Sequence, residues 1–258
     1  MFTDRFPEFR KGRILKAEML ECVRDYPRNL LDIQLQDYSD GIVAGSGIRV
    51  GERHIFIGRG MVKHQGRIYV LPEELPLEYR ATGVECVIKL RLLSERSDGD
   101  FTERLSEVVL DEELSCSPDE MELGRFKLKE GARIRTDYRS FADYATEYNT
   151  LCVIHAPYAG IGGPTLNPQM LRTFASELLQ SAATDAADLA FGMTCLNQGI
   201  AERTIILHYL ARKLGAPYKD YTNAVIHRSL CRILESVKAG GTGRMGPRSH
   251  GPQRMIVD

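Results

Sequence analysis

The chain has 258 residues, of which 43% are apolar and 27% are charged, a composition that is ordinary for a soluble globular protein. Its formal net charge of −1 provides no overall field that would attract nucleic acid or an anionic membrane, so we expect neither as a partner. No apolar run approaches the roughly 20 residues that span a bilayer, and the beginning, MFTDRFPEFRKGR, contains no signal-peptide core, so we expect a cytoplasmic protein.

The six cysteines are scattered along the chain without any C-x-x-C pair: Cys22, Cys86, Cys116, Cys152, Cys195 and Cys231. Zinc sites built from cysteine need close pairs, so that two thiolates reach one ion from a tight turn. We therefore expect free thiols, and we predict no metal and no cofactor.

The first segment, residues 1–39, is predicted to be helical from about residue 14 to 38. Its apolar residues recur at the spacing of one helix face: Leu15, Met19, Cys22 or Val23, and Tyr26. Pro27 is expected to end or kink this helix. A shorter second piece would then carry Leu30, Leu31 and Leu35.

The second segment, residues 40–156, has a period of two and is predicted to be an antiparallel β domain. It opens with DGIVAGSGIRVGERHIFIGRGMVKHQGRIYVL, Asp40 to Leu71, which holds seven glycines between short runs of Ile, Val and Phe. Strands this short, joined by this many turns, favour an antiparallel sandwich or barrel. Residues 151–156 could add one last strand.

The same glycines could instead cradle a phosphate, and their spacing tests that alternative. A dinucleotide fingerprint needs glycine at its first, third and sixth positions. Gly45 and Gly47 are followed by Val50 at the sixth position, and Gly58 and Gly60 by Lys63. Neither pair matches, so we interpret these glycines as turns.

The third segment, residues 157–238, is predicted to be an antiparallel bundle of four helices joined by short loops. Asn167 is a natural N-cap with Pro168 at the first helical position, and Gly215 should close the third helix. For the second helix, the expected apolar face is Ala186, Leu189, Met193 and Leu196. The remaining residues, 239–258, form a basic tail that we expect to be disordered. The fold class is therefore α+β: an N-terminal helix and an antiparallel β-sandwich-like domain, followed by an antiparallel helical bundle.

Two groups of residues keep an enzyme or a nucleotide- or metal-binding protein open as the alternative function. The loop Gly160–Gly163 follows a possible strand and precedes a helix, a place where anions bind, although Pro164 removes a donor. His227 and Cys231 are four residues apart on the last predicted helix, and His208 or Cys195 could complete a metal site. We favour a domain linker and core packing for them, and we interpret Asp185 and Asp188 as helix-dipole partners.

A resemblance to known proteins favours assembly over catalysis. The segment starting at Asp37 resembles the N-terminal β domain that attaches tail fibres and receptor-binding proteins to a phage baseplate, and ELGRFKLKEGARIR (Glu122 to Arg135) resembles the closing strands of such domains. The pattern is carried by Asp40, Gly41, Gly47, Gly60, Gly66, Arg67 and Tyr69. A β domain followed by a helical bundle is also similar to the shoulder and neck of the TssK family of type VI secretion baseplate subunits.

The resemblance implies a virion structural protein, encoded by a phage or prophage or by a contractile injection system, that is not an enzyme. Because the sequence shows no fibre repeat and no additional C-terminal head, it implies a baseplate or tail-fibre adaptor. Its expected partners are itself, as a homo-oligomer and by analogy a trimer, and other baseplate or tail-fibre proteins in the assembled particle. A helix that is apolar over more than one stripe has more surface to bury than one neighbour covers. We therefore predict an interface on the bundle at Ile205, Ile206, Tyr209, Leu210, Val225 and Ile226.

Overall fold

The computed structural model of the chain describes residues 1–181 and 185–240, and it confirms the predicted α+β class. The five helices are α1 Ala17–Leu35, α2 Pro168–Gln180, α3 Ala186–Gln198, α4 Arg203–Leu214 and α5 Asn223–Lys238. The nine strands are β1 Gly41–Gly45, β2 Ile48–Val50, β3 His54–Ile57, β4 Gly60–His64, β5 Arg67–Leu71, β6 Leu75–Glu78, β7 Glu85–Ser97, β8 Thr102–Asp111 and β9 Glu120–Lys127. The tail predicted at residues 239–258 lies, from residue 241 on, outside the described residues.

The strands form three small sheets in which all neighbours are antiparallel, as the period of two predicts. The strand orders are β1-β4-β5, β2-β3-β6 and β8-β7-β9. In the third sheet the central strand β7 pairs Ile88 with Leu110 of β8 on one side and with Gly124 of β9 on the other. The strand considered for residues 151–156 is absent, because this segment contributes only an isolated bridge between Cys152 and Arg125.

The glycines between Asp40 and Leu71 serve as turns and close-approach points, as the spacing argument predicts. Gln65 and Gly66 both have positive φ, 49° and 71°, and form the two-residue turn of the β4–β5 hairpin. Gly45 and Gly60 oppose each other on β1 and β4. A Cβ added to Gly60 would lie 2.4 Å from the main-chain N of Ser46, so the chain can approach β4 this closely only with glycine at position 60.

Helix α1 continues through Pro27, so of the two predicted effects of this residue, an end or a kink, the end is wrong. Proline removes one main-chain hydrogen bond and crowds the carbonyl four residues earlier, but an exposed helix can absorb this by a small adjustment of its axis. The Lys16 side chain does not cap the N-terminus of α1, and none of its residues is buried.

The four bundle helices begin and end close to the predicted signals. The Asn167 side chain accepts hydrogen bonds from the N–H groups of Gln169 and Met170, with Pro168 as the first residue of α2. Gly215 closes α4 in the left-handed conformation.

A 3-10 helix that the sequence analysis missed, Phe141–Ala145, connects the β sheets to the bundle. Phe141 is fully buried and meets Phe174 of α2 edge-on, with ring centres 5.2 Å apart. Its carbonyl accepts a hydrogen bond of 2.9 Å from Nε2 of His227 on α5. One continuous cluster of buried side chains therefore extends from Ile55 and Ile88 in the sheets to the bundle.

Candidate functional site

The N-terminal arm, which we define as residues 1–35, is the most unusual surface of the described chain. Of the 24 exposed large apolar side chains in the described residues, 12 lie within the first 33 residues. Isolated exposed apolar residues are normal on a protein surface, but a contiguous patch marks an interaction site. The arm is therefore the first candidate for a partner interface.

The arm is attached to the β domain at one point, by a lysine that the sequence analysis did not single out. Lys63 of β4 is only 8% exposed. Its Nζ donates to the carbonyl oxygens of Leu35, Gln36 and Tyr38 at 2.5, 3.2 and 2.7 Å. These are carbonyls at the C-terminal end of α1, where a cation also complements the helix dipole. Lys63 thus anchors α1 by its C-terminal end.

The rest of α1 lies loosely above the sheets. A cavity of about 530 Å³ separates Arg28, Leu31 and Asp32 of α1 from strands β5 and β8. At its N-terminal end the arm folds back on α1, where the Cys22 thiol lies 3.2 Å from the carbonyl oxygen of Arg5. Tight packing against its own chain therefore does not account for the stability of α1.

A second exposed apolar surface lies on α3, and it corrects the predicted orientation of that helix. Leu189, Met193 and Leu196 are exposed, Met193 by 59%, and Ala186 is exposed beside them. The buried face is instead Asp188, Phe191, Gly192 and Cys195. Because α3 is apolar on both sides, its period alone did not reveal which side faces the core.

Four of the six predicted interface residues lie inside the chain's own core: Ile206, Tyr209, Leu210 and Ile226. Side chains that are buried within their own chain have no surface left for a partner, so their placement argues against a direct contact role. Ile205 is exposed and Val225 is half-buried. The predicted bundle interface thus remains a prediction, now restricted to these two residues.

Tyr209 belongs to a buried polar cluster that joins α3 and α4. Its hydroxyl donates to Oδ1 of Asp188 at 2.7 Å, and Lys213 donates to Oδ2 of the same carboxylate at 2.9 Å. Burial first, and the Asp188 hydrogen bond second, raise the pKa of Tyr209 well above its ordinary value. Asp185 caps α3 by accepting the N–H of Ala187, so its helix-terminus role is confirmed, whereas Asp188 is a core ion-pair residue.

The residues considered for a metal site do not converge on one point. His227 donates to the carbonyl of Phe141, and burial lowers its pKa. Cys231 is 3.9 Å from His227, but His208 stacks on Tyr218 at the surface, with ring centres 4.4 Å apart. Within residues 1–181 and 185–240, no group of three or more His, Cys, Asp or Glu side chains is arranged to hold a metal ion.

The loop Gly160–Gly163 holds the short segment that joins α1 to β1. The N–H of Ser39 donates to the Gly160 carbonyl at 2.9 Å, and the Gly160 N–H donates back to the Ser39 hydroxyl at 3.2 Å. Oε2 of Glu202 lies 2.8 Å from where a Cβ of residue 160 would be. A carboxylate at this position disfavours a bound phosphate by like-charge repulsion. This arrangement agrees with the linker interpretation of the loop.

A cleft of about 410 Å³ lies beside Gly45–Gly47 and is lined by tyrosines. Tyr138 and Tyr144 stack with ring centres 3.8 Å apart, and the Tyr138 hydroxyl donates to the carbonyl of Leu151 at 2.7 Å. Burial raises the pKa of Tyr158 to about 12, so its hydroxyl stays protonated at neutral pH. The cleft thus presents neutral hydroxyls and aromatic rings next to the glycines.

The most deeply buried charge in the β domain was not apparent from the sequence. Lys89 on β7 is 1% exposed, and its Nζ donates to Asp111, the carbonyl of Ser115 and Glu120 at 3.2, 2.7 and 3.4 Å. Burial lowers the pKa of Lys89, but the hydrogen bonds that it donates to Asp111 and Glu120 more than offset this and raise the pKa overall. This lysine is fully paired and supports the sheet β8-β7-β9.

Comparison with known proteins gives similarities to solved structures. The chain matches no protein-family model and no curated protein. A crystal structure of TssK is similar with a TM-score of 0.41 and 12% identity, over 92% of this chain and 69% of that one. A cryo-electron microscopy structure of the TssK-TssF-TssG baseplate subcomplex of the type VI secretion system is similar with a TM-score of 0.40 and 12% identity, over 90% of this chain and 100% of that one. Such a similarity concerns the course of the chain and assigns no residue and no activity.

Among the described residues, no helix is both long enough and apolar enough to cross a membrane.

Proposed function

We propose that this chain is a structural component of the baseplate of a contractile particle, where it docks other subunits and catalyses no reaction. The finer form of the proposal is an adaptor between a baseplate and tail fibres, in a phage, a prophage-encoded particle or a secretion system. It acts in the cytoplasm, where the particle is assembled, as a homo-oligomer and by analogy a trimer.

The observation that carries the proposal is the exposed N-terminal arm. An isolated helix is only marginally stable in water, and an interior proline costs about 3 kcal/mol relative to alanine. Helix α1 contains Pro27, lacks a side-chain N-cap and has no buried residue. A helix of this kind gains stability when another surface covers it. Such a surface is what an adaptor needs for its neighbours.

The exposed stripe of α3 supports the same role at the other end of the chain. Leu189, Met193 and Leu196 follow one another at spacings of four and three residues, so they form one continuous strip on the helix. Methionine is enriched at protein interfaces. With Ile205 on the neighbouring helix, the bundle therefore offers a surface that is separate from the arm.

Co-expression with the other baseplate proteins of the same genome segment tests the proposal. The tagged chain is expected to form a stable complex with at least one of them, and genes for sheath, tube or baseplate proteins are expected beside its own. A version without residues 1–35 should lose partners bound through the arm. The matched control, Arg53→Ala, changes an exposed loop residue and should retain all of them.

An enzyme is the competing class, and its tests are independent of complex formation. A stoichiometric transition metal in the purified protein, or a large thermal shift with a nucleotide, would contradict the proposal. The proposal would also be contradicted if the chain bound none of the baseplate proteins encoded in its own genome segment.

A further inference from the structure

Helix α1 carries an apolar seam with the spacing of a coiled coil. Its residues alternate at intervals of four and three: Met19, Val23, Tyr26, Leu30 and Ile33. This places Val23 and Leu30 at position a of a heptad, and Met19, Tyr26 and Ile33 at position d. Val23, Tyr26 and Ile33 are exposed by 51%, 56% and 65%. The seam is thus uncovered along almost its whole length.

The seam points away from the rest of the chain. Successive residues of a helix are rotated by about 100° around its axis. The centre of the seam therefore lies about half a turn around α1 from the side that carries Arg28, Leu31 and Asp32. Those three residues line the cavity over β5 and β8. The arm is also fixed by Lys63 at its C-terminal end. The N-terminal segment touches α1 at the flanking residue Cys22, so a partner can approach the seam from Val23 to Ile33 without displacing that contact, the cavity wall or the Lys63 anchor.

The charge pattern of α1 favours a second copy of this chain as that partner. All six charged residues of the helix occupy the outer positions b, c and f: Glu18, Glu21, Arg24, Asp25, Arg28 and Asp32. The positions that flank the seam are uncharged: Leu20, Cys22, Pro27, Asn29 and Gln34. Charges at flanking positions set the choice of partner, because like charges there repel and opposite charges attract. Without them, two identical seams meet with no like-charge repulsion.

We infer that neighbouring copies of this chain associate through their α1 seams, in a short coiled coil centred on Tyr26. This deepens the proposed function, on which it rests, by naming the surface that joins the copies.

Sedimentation equilibrium of the full chain at micromolar concentration tests the inference. The wild type is expected to associate. The double variant Val23→Lys with Leu30→Lys should weaken association by at least about tenfold, because each buried aliphatic side chain contributes about 1.5–3 kcal/mol. The matched control Glu21→Lys makes the same change in net charge at an outer position and should associate like the wild type. Thermal unfolding checks that each variant is folded.

A second pair, Tyr26→Lys with Ile33→Lys, keeps the test decisive if the first variant does not fold. A monomeric wild type, or association that both seam variants leave unchanged, would overturn the inference. If Ile205→Lys dissociates the copies and the seam variants do not, the bundle joins them and the inference is also wrong. A monomer that still binds the other baseplate proteins would contradict the seam and the homo-oligomer but leave the baseplate role standing, whereas seam association without any such binding would contradict the baseplate role and not the seam.

Discussion

At the scale of single residues, Lys63 determines where the arm is held. Its three hydrogen bonds all go to carbonyl oxygens near the end of α1. Replacing lysine with methionine keeps the aliphatic stem and leaves these carbonyls to water, at a cost of about 1–3 kcal/mol. The loss is local, because α1 contributes no residue to the core.

We therefore expect Lys63→Met to speed hydrogen exchange in the last two turns of α1 by about tenfold or more, since tenfold corresponds to about 1.4 kcal/mol. Amides of strand β7 should keep their protection. The control Lys127→Met removes a lysine that pairs with the exposed Glu147 and should leave α1 unchanged. Equal exchange of α1 in the Lys63 variant and the wild type would show that the lysine does not anchor the arm.

Asp143 makes the stability of the junction between the sheets and the bundle depend on pH. Its carboxylate accepts two hydrogen bonds from Arg135, at 2.8 and 2.5 Å, one from the N–H of Arg139 and one from Thr146. The hydrogen bonds from Arg135, which have the largest effect, act together with those from Arg139 and Thr146. They outweigh the effect of burial and hold the pKa of Asp143 well below its usual range. The carboxylate therefore stabilises the fold fully above the ordinary aspartate pKa.

As the pH falls below about 5, the unfolded chain takes up the proton first, and this stabilisation is lost at about 1.4 kcal/mol per unit of pKa difference. Urea unfolding between about pH 7 and pH 3 measures the slope. Asp143→Asn should be less stable at neutral pH and should show a shallower acid slope. Asp137→Asn, whose side chain is 74% exposed beside the same arginine, should cost little stability. Identical slopes for the wild type and Asp143→Asn would remove this explanation.

At the scale of the elements, the arm and the bundle should differ sharply in their importance for folding. Deleting residues 1–35 removes no buried residue, so the thermal midpoint of the remainder should shift little. Phe174→Ala should destabilise the chain by about 3–5 kcal/mol, because this fully buried ring packs against Phe141, Phe191 and Tyr209. Calorimetry compares the two. A large loss of stability in the deletion would mean that the arm is part of the core and not a docking element.

Local signals in the sequence predicted those elements that depend on a few neighbouring residues. The β4–β5 turn at Gln65 and Gly66 needs positive φ, and the start of α2 needs the Asn167 cap. Both could be read from adjacent residues. The orientation of α3 could not, because Leu189 and Phe191 are both apolar and only the packing of Phe191 against Tyr209 determines which one is buried.

The candidate site was harder to predict than the fold. The seam residues Met19, Val23 and Tyr26 could be recognised as one helix face, but not as a face that stays exposed. The Lys63 anchor joins residues more than 20 positions apart, and periodicity carries no information on such a contact. The burial of Ile206 and Leu210 likewise follows from how the bundle helices pack against one another. Most of the interface that was predicted from the spacing of such residues therefore lies in the core.

At the scale of the whole molecule, the chain combines a well-packed body with two uncovered apolar surfaces, the arm and the α3 stripe. The body contains one continuous core through the sheets and the bundle. Such a combination suits a part that is stable alone and completed by neighbours. These two uncovered surfaces favour a role in assembly over ligand binding in the tyrosine-lined cleft.

Quantitative mass spectrometry of purified contractile particles tests the role in assembly most directly, because it counts the copies of this chain. We expect a fixed whole-number ratio to the other baseplate proteins in intact particles, and its loss when Val23 and Leu30 are both replaced with lysine. Intact particles that contain none of this chain, or amounts that vary from one preparation to the next, would contradict the account.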